Sequence, residues 1–325
     1  MIGGPSDARS APSPDVDGRP ARILFVFLDG VGIGVHDAAL NPFVRFADGL
    51  PTLVRMLGGR VPTIAEPRVA PSTRGGGHAF PLDASLGVAG TPQSGTGQVA
   101  LLTGESAAEI FGGHFGPWTP VRLRPLLESR NLLKRAVDAG RTVAFANAYP
   151  RGWPGPRGTR GLAGPPLAAR SAGVLTRHEE ELAAGTAVSS EIVNDGWRRH
   201  LGFDAVPDVT AARAGANLAR VSRHADLTLF AHYATDTAGH THDMDAAGAA
   251  LGRVDDFFAG VLAELPEDTL LVVASDHGNL EDVSAGHTRN PALGIAMGPG
   301  AERAAALTDL REVAPLLLEL MGSGA

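Results

Sequence analysis

Five short fragments hold carboxylates, imidazoles and one hydroxyl in a set that could assemble two cation sites around a nucleophile. They are Asp29 in FLDGVG, Ser94 in PQSGTGQ, Asp236 and His240 in TDTAGH, Asp276 and His277 in SDHGN, and His287 in GHTRNP. Divalent cations held this way activate a hydroxyl and neutralise the charge of a transferring phosphoryl group. Taken singly, each fragment has an ordinary explanation. Asp-Gly is a turn, a serine ahead of an apolar run is a helix cap, and a histidine among turn residues is unremarkable. Only the set points to phosphoryl transfer.

Spacing adds to the residue types. Asp236 and His240 stand one helical turn apart, so on a helix start both face one ion. Asp276 and His277 are neighbours, which diverge along a strand but can converge where the strand ends and the chain turns. Ser94 precedes VALLTGE, a helical stretch, so its hydroxyl would lie among free N–H groups at the positive end of the helix dipole. The segment is not a P-loop, because no Gly-Lys-Ser/Thr follows. Nor is it an acyl-hydrolase elbow, because Pro92 and Thr96 stand where G-x-S-x-G needs glycine. No base is evident beside Ser94, so a cation must lower its pKa, and Thr96 is the other hydroxyl in reach.

Elements able to position these residues are visible in the hydrophobic pattern. RILFVFLDG is a near-continuous apolar run of the kind buried on both faces of a parallel sheet. Similar runs occupy 141–149, 226–233 and 269–277, with a weaker one at 291–298. Helical patterns alternate with them: one through LRPLLESRNLLKRAVDAG, one before each of the third and fourth strands, and one closing the chain. Alternation of this kind predicts an α/β fold: a doubly wound, mostly parallel sheet with helices on both faces. Asp29, Asp236, Asp276 and His277 then fall at the carboxyl ends of strands, where such sheets bind ligands. Residues 1–21 read as a disordered tail and 22–325 as one domain. The Gly/Pro-rich stretch 68–90 reads as a loop at the site mouth. Residues 150–203, with only short helical pieces, read as a possible small lid.

Composition narrows the function. The 325 residues carry a net charge of −7 without a basic stripe, which argues against nucleic acid as partner. There is no cysteine, so any metal must bind through oxygen and imidazole nitrogen. That donor set suits Mn²⁺ or Zn²⁺ better than Ca²⁺ or Mg²⁺. The start lacks an apolar signal segment and no apolar run could span a bilayer, so a soluble cytoplasmic protein is the expectation. Arg151 and Arg157, in PRGWPGPRGTRG, could clamp a phosphate or carboxylate of a small phosphorylated substrate, and His114 is a third substrate candidate.

The motifs in this order resemble the alkaline phosphatase superfamily, in the metalloenzyme branch of cofactor-independent phosphoglycerate mutase and phosphopentomutase. FLDGVG is similar to that family's first metal-aspartate motif. In PQSGTGQ the serine lies three residues before a glycine, Gly97, as in its nucleophile motif. TDTAGH is similar to D-x-x-G-H, SDHGN to A-D-H-G-N, and GHTRNP to the last histidine with its Asn-Pro. The resemblance spans about residues 22–300. It implies Asp236, His240 and His287 on one ion, and Asp29, Ser94, Asp276 and His277 on a second. Gln98 departs from the pattern, standing where these mutases usually have histidine. No insert the size of the glycerate mutase's transferase domain is present. The implied activity is a phosphomonoesterase working through phosphoserine, with a phosphomutase as alternative. A non-catalytic metal- or nucleotide-binding module is the reading from another class.

Overall fold

The computed structural model describes residues 20–322 apart from 156, 157, 159 and 160. The expected tail falls outside it except for its last two residues. Six strands form one sheet: β1 (Arg22–Leu28), β2 (His78–Leu82), β3 (Val143–Phe145), β4 (Leu227–His232), β5 (Thr269–Ala274) and β6 (Ala292–Met297). Their order across the sheet is β2-β6-β5-β1-β4-β3. β1 pairs in parallel with both β4 and β5, and β3 with β4. β6 runs antiparallel to β5 and to β2.

The apolar run of β1 puts it at the centre. Ile23, Phe25 and Phe27 enter one core, and Leu24, Val26 and Leu28 enter the other, as period-two alternation requires. Burying each such side chain contributes about 1.5–3 kcal/mol, so β1 has the most to lose by leaving the sheet. The helices Ser94–Thr103, Gly164–Ser171 and Val313–Leu320 cover one face; Pro51–Met56, Ala211–Ser222 and Met244–Glu264 cover the other. This is the doubly wound arrangement expected from the pattern. Because β1, β4 and β5 are parallel, their carboxyl ends share one edge of the sheet. Among the described residues no helix is long and apolar enough to cross a membrane.

Three expectations are corrected. The 68–90 stretch is not simply a loop at the site mouth: it contains β2, an edge strand that tolerates Pro81. Arg68 there bonds to the carbonyls of Ala305 and Leu307. The helix expected through 123–140 is two helices, Arg124–Arg130 and Leu132–Asp138. They break at Asn131, whose side chain caps the second by accepting from the Lys134 N–H at 2.9 Å. β3 is shorter than the strand expected over 141–149, because Asn147 uses its side chain where ladder bonds would continue. Its Nδ2 donates to the Ala231 carbonyl (2.7 Å) and its Oδ1 accepts from the Ala231 N–H (2.8 Å). The chain then turns to pair with Val188.

The 150–203 stretch divides in two. Leu167, Ala168 and Ala169 of the helix Gly164–Ser171 lie in a main core. Leu182, Ala187 and Trp197 instead join Ala148 and Val206 in a small cluster of their own.

Candidate active site

Asp29 directly follows β1, and Asp276 and His277 follow β5 by one residue. Asp236 lies in the short helix Ala234–Gly239 that follows β4, with His240 at its end. Two glycines allow the close approach. Gly30 has φ +66°, and a Cβ there would lie 2.3 Å from Asp236 Oδ1. At Gly97 a Cβ would lie 2.6 Å from the Asp276 carbonyl, so only glycine lets the helix carrying Ser94 rest on that strand end.

Ser94 is not the helix cap. Gln93 takes that position, and Ser94 is the first helical residue. Its Oγ lies 2.9 Å from His277 Nε2. The same nitrogen is 3.4 Å from Asp29 Oδ1 and 3.7 Å from Asp276 Oδ2. Both carboxylate oxygens are buried without a hydrogen-bond donor among the described residues. Buried acceptors left bare in this way are rare and need a partner. A cation is the partner that two carboxylates and an imidazole would share.

The electrostatics agree. Burial, and then the neighbouring Asp276 charge, raise the Asp29 carboxyl well above its ordinary range. Asp276 is raised by burial. Burial works against the His277 imidazolium, but the charges of Asp276 and Asp29 outweigh it and lift its pKa to about 10. Asp236 is opposed by burial yet falls to about 2 through the His287 hydrogen bond and nearby imidazoles. Three carboxylates around one imidazole leave a deficit of positive charge.

The second half of the cluster is more open. His240 Nε2 and His287 Nε2 are 3.0 Å apart, and they lie 3.3 Å and 3.5 Å from the Asp236 oxygens. Two groups of three among the described residues have ligand atoms close enough for one ion: Asp29, Asp276 and His277, and Asp236, His277 and His287. His277 therefore sits between both sets, its ring 4.1 Å from that of His287. The arrangement brings together all seven residues read from the five fragments, and it suits divalent cations.

The substrate candidates fare differently. Arg151 is held by Glu179 and Glu180, its Nη2 donating to Glu180 Oε2 at 2.7 Å. Arg157 lies outside the described residues. His114 is tied to the Val88 carbonyl at 3.1 Å. Thr96, the alternative hydroxyl, is fully buried, donating to the Gln93 carbonyl and accepting from the Phe115 N–H.

Sequence reasoning missed the residues that brace the candidate ligands. Gln98 donates from Nε2 to Asp29 Oδ2 (3.2 Å), while its Oε1 accepts the Gly164 N–H (2.8 Å). The second bond fixes the amide's orientation, so Asp29 receives N–H on one oxygen and keeps the other bare. Asn279 donates to Asp236 Oδ1 at 2.6 Å. Glu281, fully buried, accepts from the Gly32 and Asn279 N–H groups, from Thr288 Oγ1 and from Asn290 Nδ2. It ties the loop after β1 to the segment carrying His277 and His287. The signal available was the acidic residue two positions beyond SDHGN, with Asn290 in the later motif.

Glu281→Ala would strand four donors, and a buried donor without an acceptor costs about 1–3 kcal/mol. A stability loss of at least about 3 kcal/mol is expected in urea unfolding. A change within about 0.5 kcal/mol would show that these loops hold themselves together.

The description "Metalloenzyme superfamily" belongs to a family model that matches residues 201–324. That stretch includes Asp236, His240, Asp276, His277 and His287. The 2,3-bisphosphoglycerate-independent phosphoglycerate mutase of Desulforudis audaxviator is 31% identical over 130 residues, covering 37% of this chain and 25% of the mutase. Its counterpart in Cereibacter sphaeroides is 33% identical over 130 residues, 37% of this chain and 26% of that protein. The chain thus spans about a quarter of the length of these relatives. Among solved structures, an alkaline phosphatase from the Antarctic bacterium TAB5 superposes with a TM-score of 0.55 at 12% identity. The superposition covers 94% of this chain and 100% of that one. The fold is alkaline phosphatase-like, and the C-terminal part of the chain carries the metalloenzyme signature. The fold comparison covers nearly the whole chain, whereas the sequence signature sits in its C-terminal part. Asp29 and Ser94 lie outside that part and reach the cluster through the fold.

Proposed function

We propose that the chain is a binuclear, metal-dependent phosphomonoesterase acting on a small phosphorylated metabolite through a phosphoserine. The observation that carries this is Ser94 Oγ at 2.9 Å from His277 Nε2, beside two buried carboxylate oxygens with no donor. Asp29, Asp276 and His277 would hold one ion, with Ser94 beside it, and Asp236, His240 and His287 the other. Manganese and zinc suit these oxygen and nitrogen donors. Bound there, the ions supply positive charge that lowers the serine pKa and offsets charge on the phosphoryl group.

The protein's own part follows from the geometry. Ser94 Oγ gives up its proton to solvent and attacks phosphorus, and the bond from phosphorus to the leaving oxygen breaks. The leaving alkoxide then takes a proton. Water next attacks the phosphoserine, the Oγ–phosphorus bond breaks, and inorganic phosphate leaves with the serine hydroxyl restored. Gln98 and Asn279 keep Asp29 and Asp236 in place throughout.

Water access favours hydrolysis over internal return of the phosphoryl group. The His240 side chain is half exposed, and part of the 150–203 stretch is packed into the main core. A mutase must exclude water while its product reorients. The mutase reading keeps one specific support, the sequence likeness to phosphoglycerate mutases. Full-length protein with Mn²⁺ or Zn²⁺ is expected to hydrolyse p-nitrophenyl phosphate and to release phosphate from sugar or glycerate phosphates. Isomerisation of 3-phosphoglycerate or ribose 1-phosphate without phosphate release would replace this reading with the mutase. Inertness in both assays would leave a metal-binding module.

A further inference from the structure

A cavity of about 180 Å³ lies between the helix Ala211–Ser222 and the small cluster around Trp197. None of its lining residues belongs to the Ser94 site. One wall is a helix stripe, Arg213, Asn217 and Arg220, spaced so that all three share a face. Arg220 Nη2 donates to Asn217 Oδ1 at 2.8 Å. That bond fixes the Asn217 amide, and its Nδ2 is left without a hydrogen bond among the described residues, open to the cavity it lines. The Arg213 side chain likewise has no hydrogen bond or ion pair among the described residues. Gly185 closes the opposite side, where a Cβ would lie 3.0 Å from that same Nδ2.

The far wall supplies the complementary group. Asn194 is 2% exposed, and its Nδ2 donates to the Pro207 carbonyl at 2.9 Å. Its orientation is thereby set, and its Oδ1 is buried without a donor. The one acid on the rim, Asp208, is engaged by Arg198. The cavity therefore offers cationic and amide donors on one side and a buried, unsatisfied acceptor on the other. A buried acceptor in the state of Asn194 Oδ1 calls for a ligand or ordered water. A cavity of comparable volume holds a ligand about the size of benzene.

We propose that this cavity binds a small metabolite with an oxyanion, carboxylate or phosphate, for the Arg213–Asn217–Arg220 stripe and a hydroxyl for Asn194. Planar guanidinium groups suit either oxyanion. The site is independent of the phosphoryl-transfer reading, because it shares no residue with Ser94 or its neighbours.

The test is isothermal titration calorimetry on the full-length, Mn²⁺-loaded protein with D-glycerate and, separately, glycerol 3-phosphate. It is run in a Ser94→Ala background, which removes turnover. Saturable binding of either probe is expected, and the stronger of the two identifies the anion. Adding Arg213→Ala should weaken it at least tenfold without changing the melting temperature, since that side chain is exposed and unpaired. Asn194→Asp, which places a carboxylate in the same volume, should weaken it as well. Binding unaffected by Arg213→Ala would assign the heat to the metal site and overturn the proposal. So would the lack of saturation by either probe at about 10 mM, beyond the millimolar range of weak metabolite sites.

Discussion

Ser94→Ala is expected to lower turnover on a phosphomonoester by about a thousandfold or more while leaving the fold and bound metal in place. Losses of this size follow removal of a covalent nucleophile when the surrounding machinery remains. The hydroxyl makes one hydrogen bond, to His277 Nε2, and it does not cap its helix. Its removal therefore costs stability only on the order of 1 kcal/mol. Thr96 cannot take over, because it is fully buried and its hydroxyl is engaged with Gln93 and Phe115. The measurement is the steady-state rate with p-nitrophenyl phosphate alongside metal content by elemental analysis. Near-normal rates with metal retained would move the nucleophile elsewhere. A lost rate together with lost metal would make Ser94 chiefly a ligand.

The site was legible because its residues sit where a repeating pattern changes. RILFVFL reads as a doubly buried strand, so the Asp29 that ends it is marked as a strand-end carboxylate, and Asp276 is marked in the same way. Ser94 was legible as a residue at a helix start but not as a free hydroxyl, since cap or first turn depends on one residue of offset. The bracing shell was not legible. Gln98 and Glu281 work through partners 66 to 69 and up to 249 residues away in sequence, and no local spacing encodes such pairs. β2 was hidden for a different reason. HAFPL is short, lies at the sheet edge and contains proline, so neither alternation nor length marks it. Asn147 shows a third limit, because a side chain replacing ladder bonds ends a strand inside a continuous apolar run.

Stripping the metal should abolish activity, and restoring it near pH 8 should release protons, with His277 the main source. In the metal-free protein the charges of Asp276 and Asp29 prevail over burial and hold the His277 pKa near about 10. A histidine in the unfolded chain loses its proton at about 6.5. The folded, metal-free state therefore keeps a proton across the window from about 6.5 to about 10 that the unfolded state has released. Stability from this group is complete below that window and is lost as pH rises through it. The raised Asp29 pKa acts in the same sense above the ordinary carboxylate range. A cation on Nε2 must displace the proton, so the apparent affinity should climb by up to about tenfold per pH unit within the window. Once bound, the cation replaces the imidazolium as the neutralising charge, and the fall in stability with rising pH should flatten. Calorimetry of Mn²⁺ binding in buffers of different ionisation enthalpy reads the protons directly. A slope near one proton or more is expected from the plot of observed against buffer enthalpy. A slope of zero would mean that His277 is already neutral, and that the buried carboxylates are not balanced by its charge.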